Sequence, residues 1–236
     1  MDSLLVALIV FFACFVQTAT GFGIGLVGMP LLAATIGLPI ARPLMALVSL
    51  LNRFIMMARY RDQLTLRAAW RLMFGAAIGI PLGFLLLRTL DSHWVEVGLG
   101  MFVTIYALYA LISPQIPEMH GHGWALGMGL ASGILAGAYN AGGPPVVIYA
   151  TGQRWEPERF KGNIQGFTLL NSVLVISLHF GEGNYTPDVL TLFLIVIPAI
   201  LLGLYCGFKV DGLINPVLFR KLVLILLIVL GLSLVF

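Results

Sequence analysis

The sequence predicts an all-helical, polytopic membrane protein built from two inverted-topology repeats of about five helical segments each. Of its 236 residues, 60% are hydrophobic and 10% are charged, whereas ordinary soluble domains carry about 25% charged residues. So few charged residues cannot cover the surface of a soluble fold of this size. We therefore expect lipid to cover the apolar surface of this chain. The high apolar content excludes intrinsic disorder, and the two cysteines are too few for a disulfide scaffold.

Ten apolar segments follow one another along the chain, and each is continuous rather than alternating, which favours helices over strands. They cover residues 4–20, 22–36, 43–57, 72–87, 95–112, 124–139, 144–151, 163–180, 189–208 and 222–236. Segments 22–36 and 144–151 are shorter than the ~20 residues of a full span, and each follows a Gly-rich break. We therefore expect these two to be either tilted short spans or re-entrant hairpins formed with the preceding segment.

An internal repeat divides the single membrane domain into residues 1–113 and 114–236. Four residue pairs share an offset of about 118 positions: Gly25 with Gly143, Pro39 with Pro157, Asn52 with Asn171, and Pro81 with Pro198. Loop 58–71 carries four arginines, whereas the equivalent loop 181–188 has no Lys or Arg. Because cytoplasmic loops collect Lys and Arg, equivalent loops are predicted to lie on opposite sides of the membrane. This pattern indicates inverted repeats and places both termini outside the cytoplasm.

The two Gly-rich breaks, residues 20–30 and 139–145, are the first candidates for a binding site. Glycine permits positive φ and close backbone approach, and proline suits the first turn of a new helix. A helix that restarts at such a break presents N–H groups, which bind anions. Matched broken segments are also the best sequence pointer to a transporter site. The alternative is that the glycines only allow close helix packing; we favour a site at the second break, with Asn140, Gly142 and Gly143, more strongly than at Gly25.

Polar side chains inside the apolar segments are the second group of candidates. Asn52 and Asn171 are related by the repeat, Gln165 lies about two turns before Asn171, and Arg53 follows Asn52 directly. Polar groups at membrane depth often mark a substrate path. The alternative for an Asn is a helix–helix hydrogen bond, and the alternative for Arg53 is to extend its charge to the membrane surface.

The middle of every apolar segment lacks Asp and Glu. A cation substrate would need such a carboxylate, and carriers coupled to protons or sodium commonly use one. An interior of amides, arginine and helix N-termini suits an anion instead. The membrane potential could drive an anion outward without a coupled ion, with about 2.3 kcal/mol per charge per 100 mV.

Enzymatic and metal chemistry find little support in the sequence. The run Gly23-Ile24-Gly25-Leu26-Val27-Gly28 matches a dinucleotide fingerprint formally, but no strand–helix unit surrounds it. His120 and His122 have no third ligand nearby. No set of nucleophile and base can be assembled within the membrane segments. We therefore expect no enzyme, cofactor or metal, and keep an intramembrane enzyme and a non-transporting membrane subunit as the alternatives.

These residues together resemble the sulfite exporter TauE/SafE family, also called the toluene sulfonate uptake permease family. The resemblance rests on the first break with Pro30, on Gly142-Gly143-Pro144, on Pro157 with Arg159, and on Leu169-Leu170-Asn171-Ser172. It implies a multi-pass inner-membrane exporter or facilitator of small sulfur-containing or organic anions such as sulfite, sulfoacetate or sulfonates. Asn140-Ala141 and Arg53 depart from the usual family pattern, which leaves the substrate open.

The expected mechanism is alternating access around a midplane site where two broken segments meet. Asn52 and Asn171 would donate hydrogen bonds, glycines 25, 142 and 143 would admit substrate to the backbone, and Arg53 and Arg159 would attract it from the cytoplasm. Asn140 and Gln165 complete the predicted substrate-binding set. The expected partners are a small anion and the lipid bilayer, with a homodimer left open. Nucleic acid is not expected, since the Lys and Arg residues lie mostly in short loops.

Overall fold

The computed structural model describes residues 3–21, 23–60, 66–112, 116–119, 121–154, 157–210 and 216–235. The regular secondary structure of these residues is entirely helical, as the sequence predicts. Ten helices follow one another: α1 (Ser3–Thr20), α2 (Ile24–Ile36), α3 (Leu38–Tyr60), α4 (Leu66–Leu86), α5 (Ser92–Ile112), α6 (His122–Tyr139), α7 (Gly143–Gly152), α8 (Pro157–Gly181), α9 (Pro187–Val210) and α10 (Pro216–Val235). His120 and the side chain of Arg159 lie outside the described part of the chain.

Six of the described helices are long and apolar enough to cross a membrane: α1, α3, α5, α8, α9 and α10. Helices α2 and α7 have only 13 and 10 residues. At 1.5 Å per residue they rise roughly 20 and 15 Å, against a hydrocarbon core of about 30 Å. The chain is therefore a multi-pass membrane protein in which α2 and α7 reach only about two thirds and one half of a full span.

Four described helices begin five or six residues earlier than the apolar pattern predicts. Helix α3 starts at Leu38 rather than at residue 43, and α4 at Leu66 rather than at residue 72. Helix α8 starts at Pro157 rather than at residue 163, and α10 at Pro216 rather than at residue 222. Pro39 and Pro157 fall in these first turns, where the missing proline N–H costs no hydrogen bond. Apolar patterning identifies only the lipid-embedded part of a helix, so it missed the more polar first turns.

The described helices divide into two compact units, and the first comprises Met1–Val48, Leu90–Pro114 and Asn184–Phe236. Its α1 packs along α9, and its α5 along α10. A Cβ added to Gly203 or Gly207 of α9 would overlap α1, and one added to Gly100 of α5 would overlap Gly231 of α10. Small residues thus let helix backbones approach closely where the hydrophobic effect cannot drive them together.

The second unit comprises Ser49–Thr89 and Gln115–Gly183, and its centre is the pair α4 and α6. Three glycines on each helix, spaced four residues apart, line the contact: Gly75, Gly79 and Gly83 on α4, and Gly129, Gly133 and Gly137 on α6. A Cβ added at any of the six would overlap the backbone of the other helix. Close packing is therefore the role of these glycines, and the pair supports the second break at the end of α6.

Neither compact unit coincides with residues 1–113 or 114–236, because each unit contains helices from both stretches. Under the repeat, α1 would correspond to α6 and α9 to α4. These helices do pair as α1 with α9 in one unit and as α6 with α4 in the other. The repeat boundaries and their inverted orientation stay predictions.

Candidate functional site

The first break lies between α1 and α2 in the first unit, and one side chain, that of Gln17, bonds the backbone on both sides of it. Gly21 and Gly23 have φ values of +83° and +111°, which glycine adopts without strain. The buried amide of Gln17 spans the break. Its Oε1 accepts the N–H of Ile24 at 3.0 Å, and its Nε2 donates to the carbonyl of Gly21 at 3.2 Å. The first N–H of α2 is therefore already bonded within the protein.

A small apolar groove lies beside this break, lined by residues of α1, α2 and α10. The described residues that line it are Val16, Thr20, Gly23, Leu26, Val27, Arg220, Val223, Leu224 and Leu227. Arg220, an exposed residue, contributes the one charge among them. Gly25 is buried in α2 and is not among these lining residues. The structure thus gives the predicted site residue Gly25 a packed position in the first unit.

The second break joins α6 to α7 in the second unit and has a different construction. Asn140 has a φ of 53°, and its N–H bonds to the carbonyl of Ala136 at 2.9 Å, which ends α6. Helix α7 restarts at Gly143, followed by Pro144 and Pro145. Since proline has no N–H, Gly143 carries the only N–H of these first three helical residues. Among the described side chains, none accepts a hydrogen bond from it.

A small polar cavity lies at this second break. The described residues that line it are Arg53, Ala136, Asn140, Gly142, Gly143, Thr168, Asn171, Ser172 and Val175. They come from α3, α6, the break and α8. Arg53 is the one cation among the described lining residues, and this lining contains no carboxylate. Five predicted site residues therefore meet here: Arg53, Asn140, Asn171, Gly142 and Gly143.

Two buried polar atoms that line this cavity have no hydrogen-bond partner in the described chain: Nε of Arg53 and Oδ1 of Asn171. Both amide atoms of Asn52 and the hydroxyl of Ser49 also lack partners. A buried polar group without a partner costs about 1–3 kcal/mol, and most such groups in folded proteins are satisfied. The two that line the cavity indicate a place for water or a polar ligand.

Two other predicted residues, Asn52 and Gln165, are buried but are not among the described residues that line the cavity. Asn52 is fully buried and shares one face of α3 with Ser49, three residues earlier. Gln165, on α8, is 1% exposed, and its Oε1 has no partner in the described chain. Arg159 lies in the first turn of α8, and its side chain is outside the description. The repeat pairs Asn52 with Asn171, yet only Asn171 borders the cavity.

Sequence reasoning missed several hydroxyl residues of this site. Thr168 and Ser172 line the cavity while bonding carbonyls of their own helix, at 2.7 Å to Ile164 and 3.0 Å to Thr168. Ser132 is fully buried and donates to the carbonyl of Gly142 at 2.5 Å. A signal was present on α8, because residues 165, 168 and 172 recur at helical spacing and form one polar stripe. Ser132 gave no such signal.

A multi-pass helical membrane protein with an interrupted helix beside a buried cationic cavity has the architecture of a membrane transporter. The family model described as Sulfite exporter TauE/SafE matches residues 6–234. The chain therefore belongs to the TauE/SafE family, which confirms the resemblance seen in its sequence. The family is one of transporters and not of enzymes.

Two curated relatives also match the chain. Over 227 residues the chain is 26% identical to a protein of Cupriavidus necator named probable sulfite/organosulfonate exporter TauE, covering 92% of the chain and 88% of the relative. Over 175 residues it is 26% identical to a protein of Comamonas testosteroni named probable inner membrane transporter protein TsaS, covering 73% of each. No solved structure matches the chain.

Proposed function

We propose that this protein carries small sulfur-containing oxyanions, such as sulfite and small organosulfonates, across the inner membrane through the cavity of the second unit. The observation that carries the proposal is the charge of the described lining, which includes the guanidinium of Arg53 and no carboxylate. The name of the Cupriavidus necator relative supports this class of substrate. We further propose that both termini face away from the cytoplasm, because of the distribution of basic loops.

The lining supplies donors suited to an oxyanion. Arg53 provides the positive charge, and the amides of Asn140 and Asn171 provide N–H groups. The N–H of Gly143 stands at the start of α7, where the helix dipole favours negative charge. Each of these interactions is stronger in a buried cavity than in bulk water. An anion would therefore bind here in preference to a neutral or cationic solute.

The sealed position of Asn52 supports transport through more than one conformation. Asn52 is 0% exposed, yet its amide has no partner in the described chain, and it adjoins Arg53 in α3. We propose that the amide becomes accessible in a second conformation, so that the anion passes along α3 by alternating access. The membrane potential, negative inside, would favour export by about 2.3 kcal/mol per charge per 100 mV.

Flux in proteoliposomes tests this function. Sulfite and small sulfonates should cross faster than carboxylates of similar size, and an imposed potential that is negative inside should speed their exit. Asn171→Ala and Asn52→Ala should each lower sulfite flux roughly 10-fold, as expected for losing about 1.4 kcal/mol of binding. Ser177→Ala is the control, since Ser177 is an exposed residue of α8 that bonds its own helix. Flux unchanged in both asparagine variants would show that the site is wrongly placed.

A further inference from the structure

Ser132 contacts the second break through Gly142 but is not among the described residues that line the cavity. It belongs to α6 and is 0% exposed. Its hydroxyl donates to the carbonyl of Gly142 at 2.5 Å. A Cβ added to Gly142 would lie 2.6 Å from the carbonyl oxygen of Ser132, so only glycine allows this close approach.

The hydrogen bond from Ser132 to Gly142 affects the orientation of the Gly143 N–H, which is the one amide donor among the first three residues of α7. The peptide that joins Gly142 to Gly143 is trans, so its carbonyl and its N–H point in opposite directions. A carbonyl held on Ser132 therefore turns the Gly143 N–H away from Ser132. Pro144 and Pro145 lack an N–H, so no neighbouring donor can replace it if it turns.

Sterics alone hold this peptide weakly, because neither Gly142 nor Gly143 has a Cβ. As the N-cap residue, Gly142 directs its carbonyl along α7, and the Ser132 hydroxyl adds the contact that ties it to α6. If the peptide rotated, the carbonyl oxygen would approach the cavity and its partial negative charge would repel an anion.

We propose that Ser132 is a positioning residue that sets specificity for anions by holding the Gly143 N–H towards the cavity. The proposal rests on the function proposed above and extends it to a residue that does not touch the substrate. It separates two roles of glycine in α6 and the break: Gly133 allows helix packing, whereas Gly142 and Gly143 form an amide whose orientation a hydroxyl controls.

The test compares Ser132→Ala and Ser132→Cys with a matched control, Thr18→Val. Thr18 is also a buried residue whose hydroxyl donates to a helix carbonyl, that of Cys14 at 2.8 Å, but it belongs to the first unit. For purified variants in proteoliposomes, KM and the maximal rate of sulfite flux are measured at several sulfite concentrations. Melting temperature in detergent is measured alongside, to compare the amounts of folded protein.

We expect Ser132→Ala to raise KM for sulfite about 5-fold while the maximal rate per folded protein changes less than about 2-fold, since one net hydrogen bond is worth about 1 kcal/mol. Ser132→Cys, with a weak donor of similar size, should fall between wild type and Ser132→Ala. Thr18→Val should keep the wild-type KM. A merely structural role would lower the melting temperature and the folded yield and leave KM unchanged.

An unchanged KM in Ser132→Ala, with active wild type, overturns the positioning role while leaving the proposed function intact. If Ser132→Ala cannot be purified folded, Ser132→Cys decides the matter, and a wild-type KM in that variant overturns the role. If the wild-type protein itself carries no sulfite or sulfonate, the proposed function fails, and the role of Ser132 fails with it.

Discussion

The two breaks of the chain resemble each other in sequence and differ in what meets the N-terminus of the restarted helix. At the first break Gln17 bonds the N–H of Ile24, and the neighbouring groove is lined mostly by apolar residues. At the second, the N–H of Gly143 has no side-chain acceptor among the described residues, and the cavity contains Arg53. We therefore propose an anion site only at the second break, where a helix N–H lacks a side-chain acceptor and a cation lines the same cavity.

The comparison also separates two kinds of buried amide. Gln17 makes hydrogen bonds through both of its amide atoms, so it stabilises the fold. Asn52 makes none with its amide in the described chain, so it reduces stability in this conformation. Natural proteins keep such costly groups mainly where function needs them.

The largest expected effect on sulfite flux comes from replacing an arginine with glutamine, and the two pockets should respond differently. Arg53→Gln removes the charge from the polar cavity and should lower sulfite flux roughly 100-fold, because hydrogen bonds to charged groups contribute about 1.5–3 kcal/mol. Arg220→Gln, the matched change in the apolar groove, should leave flux within about 2-fold of wild type. Flux in proteoliposomes measures both, and an equal loss in the two variants would mean that the breaks do not differ as described.

An intermediate effect, on stability instead of transport, should follow from changing the amide of the first break. Gln17→Leu leaves the N–H of Ile24 buried without its acceptor, which costs about 1–3 kcal/mol, so the melting temperature in detergent should fall. Sulfite flux per folded molecule should stay within about 2-fold of wild type. Gln165→Leu is the control, because Oε1 of Gln165 has no partner in the described chain; its melting temperature should not fall. A raised KM in Gln17→Leu would assign substrate binding to the first break as well.

The smallest expected effect concerns Asn140, whose φ of 53° suits glycine. Asn140→Gly should therefore keep the fold and remove only an amide from the cavity, which should raise KM for sulfite roughly 3-fold. Arg154→Gly is the matched control, since Arg154 also has a φ of 53° but is exposed and outside the described cavity lining. The prediction fails if Arg154→Gly raises KM as much as Asn140→Gly does.

Much of the lining of the candidate site was predictable because transporters concentrate polar residues at helix interruptions. The sequence reasoning named Arg53, Asn140 and Asn171, together with the double glycine, and the structure brings these residues together. It treated Asn52 and Asn171 as equivalents, whereas only Asn171 lines the cavity. Burial of a particular face of a helix depends on neighbours that sequence offset does not reveal.

Ser132 and Gln17 were harder to assign, for a shared physical reason. A serine or glutamine in an apolar helix can bond its own helix, another helix or a ligand, and its sequence surroundings look alike in each case. Ser132 meets Gly142, ten residues further along, only because the chain turns back after the end of α6. Gln17 reaches Ile24 across seven residues because two glycines adopt positive φ.

The sequence by itself determined the membrane environment, the ten helices and the two interruptions, because hydropathy, glycine and proline act locally and need no partner. Tertiary structure alone decided which helix end stays open, which asparagine borders the cavity and which glycines serve packing. Those outcomes depend on which side chains the path of the backbone brings together. Gln17 meets Ile24 only because of the turn between α1 and α2, and the cavity takes its lining from separate helices.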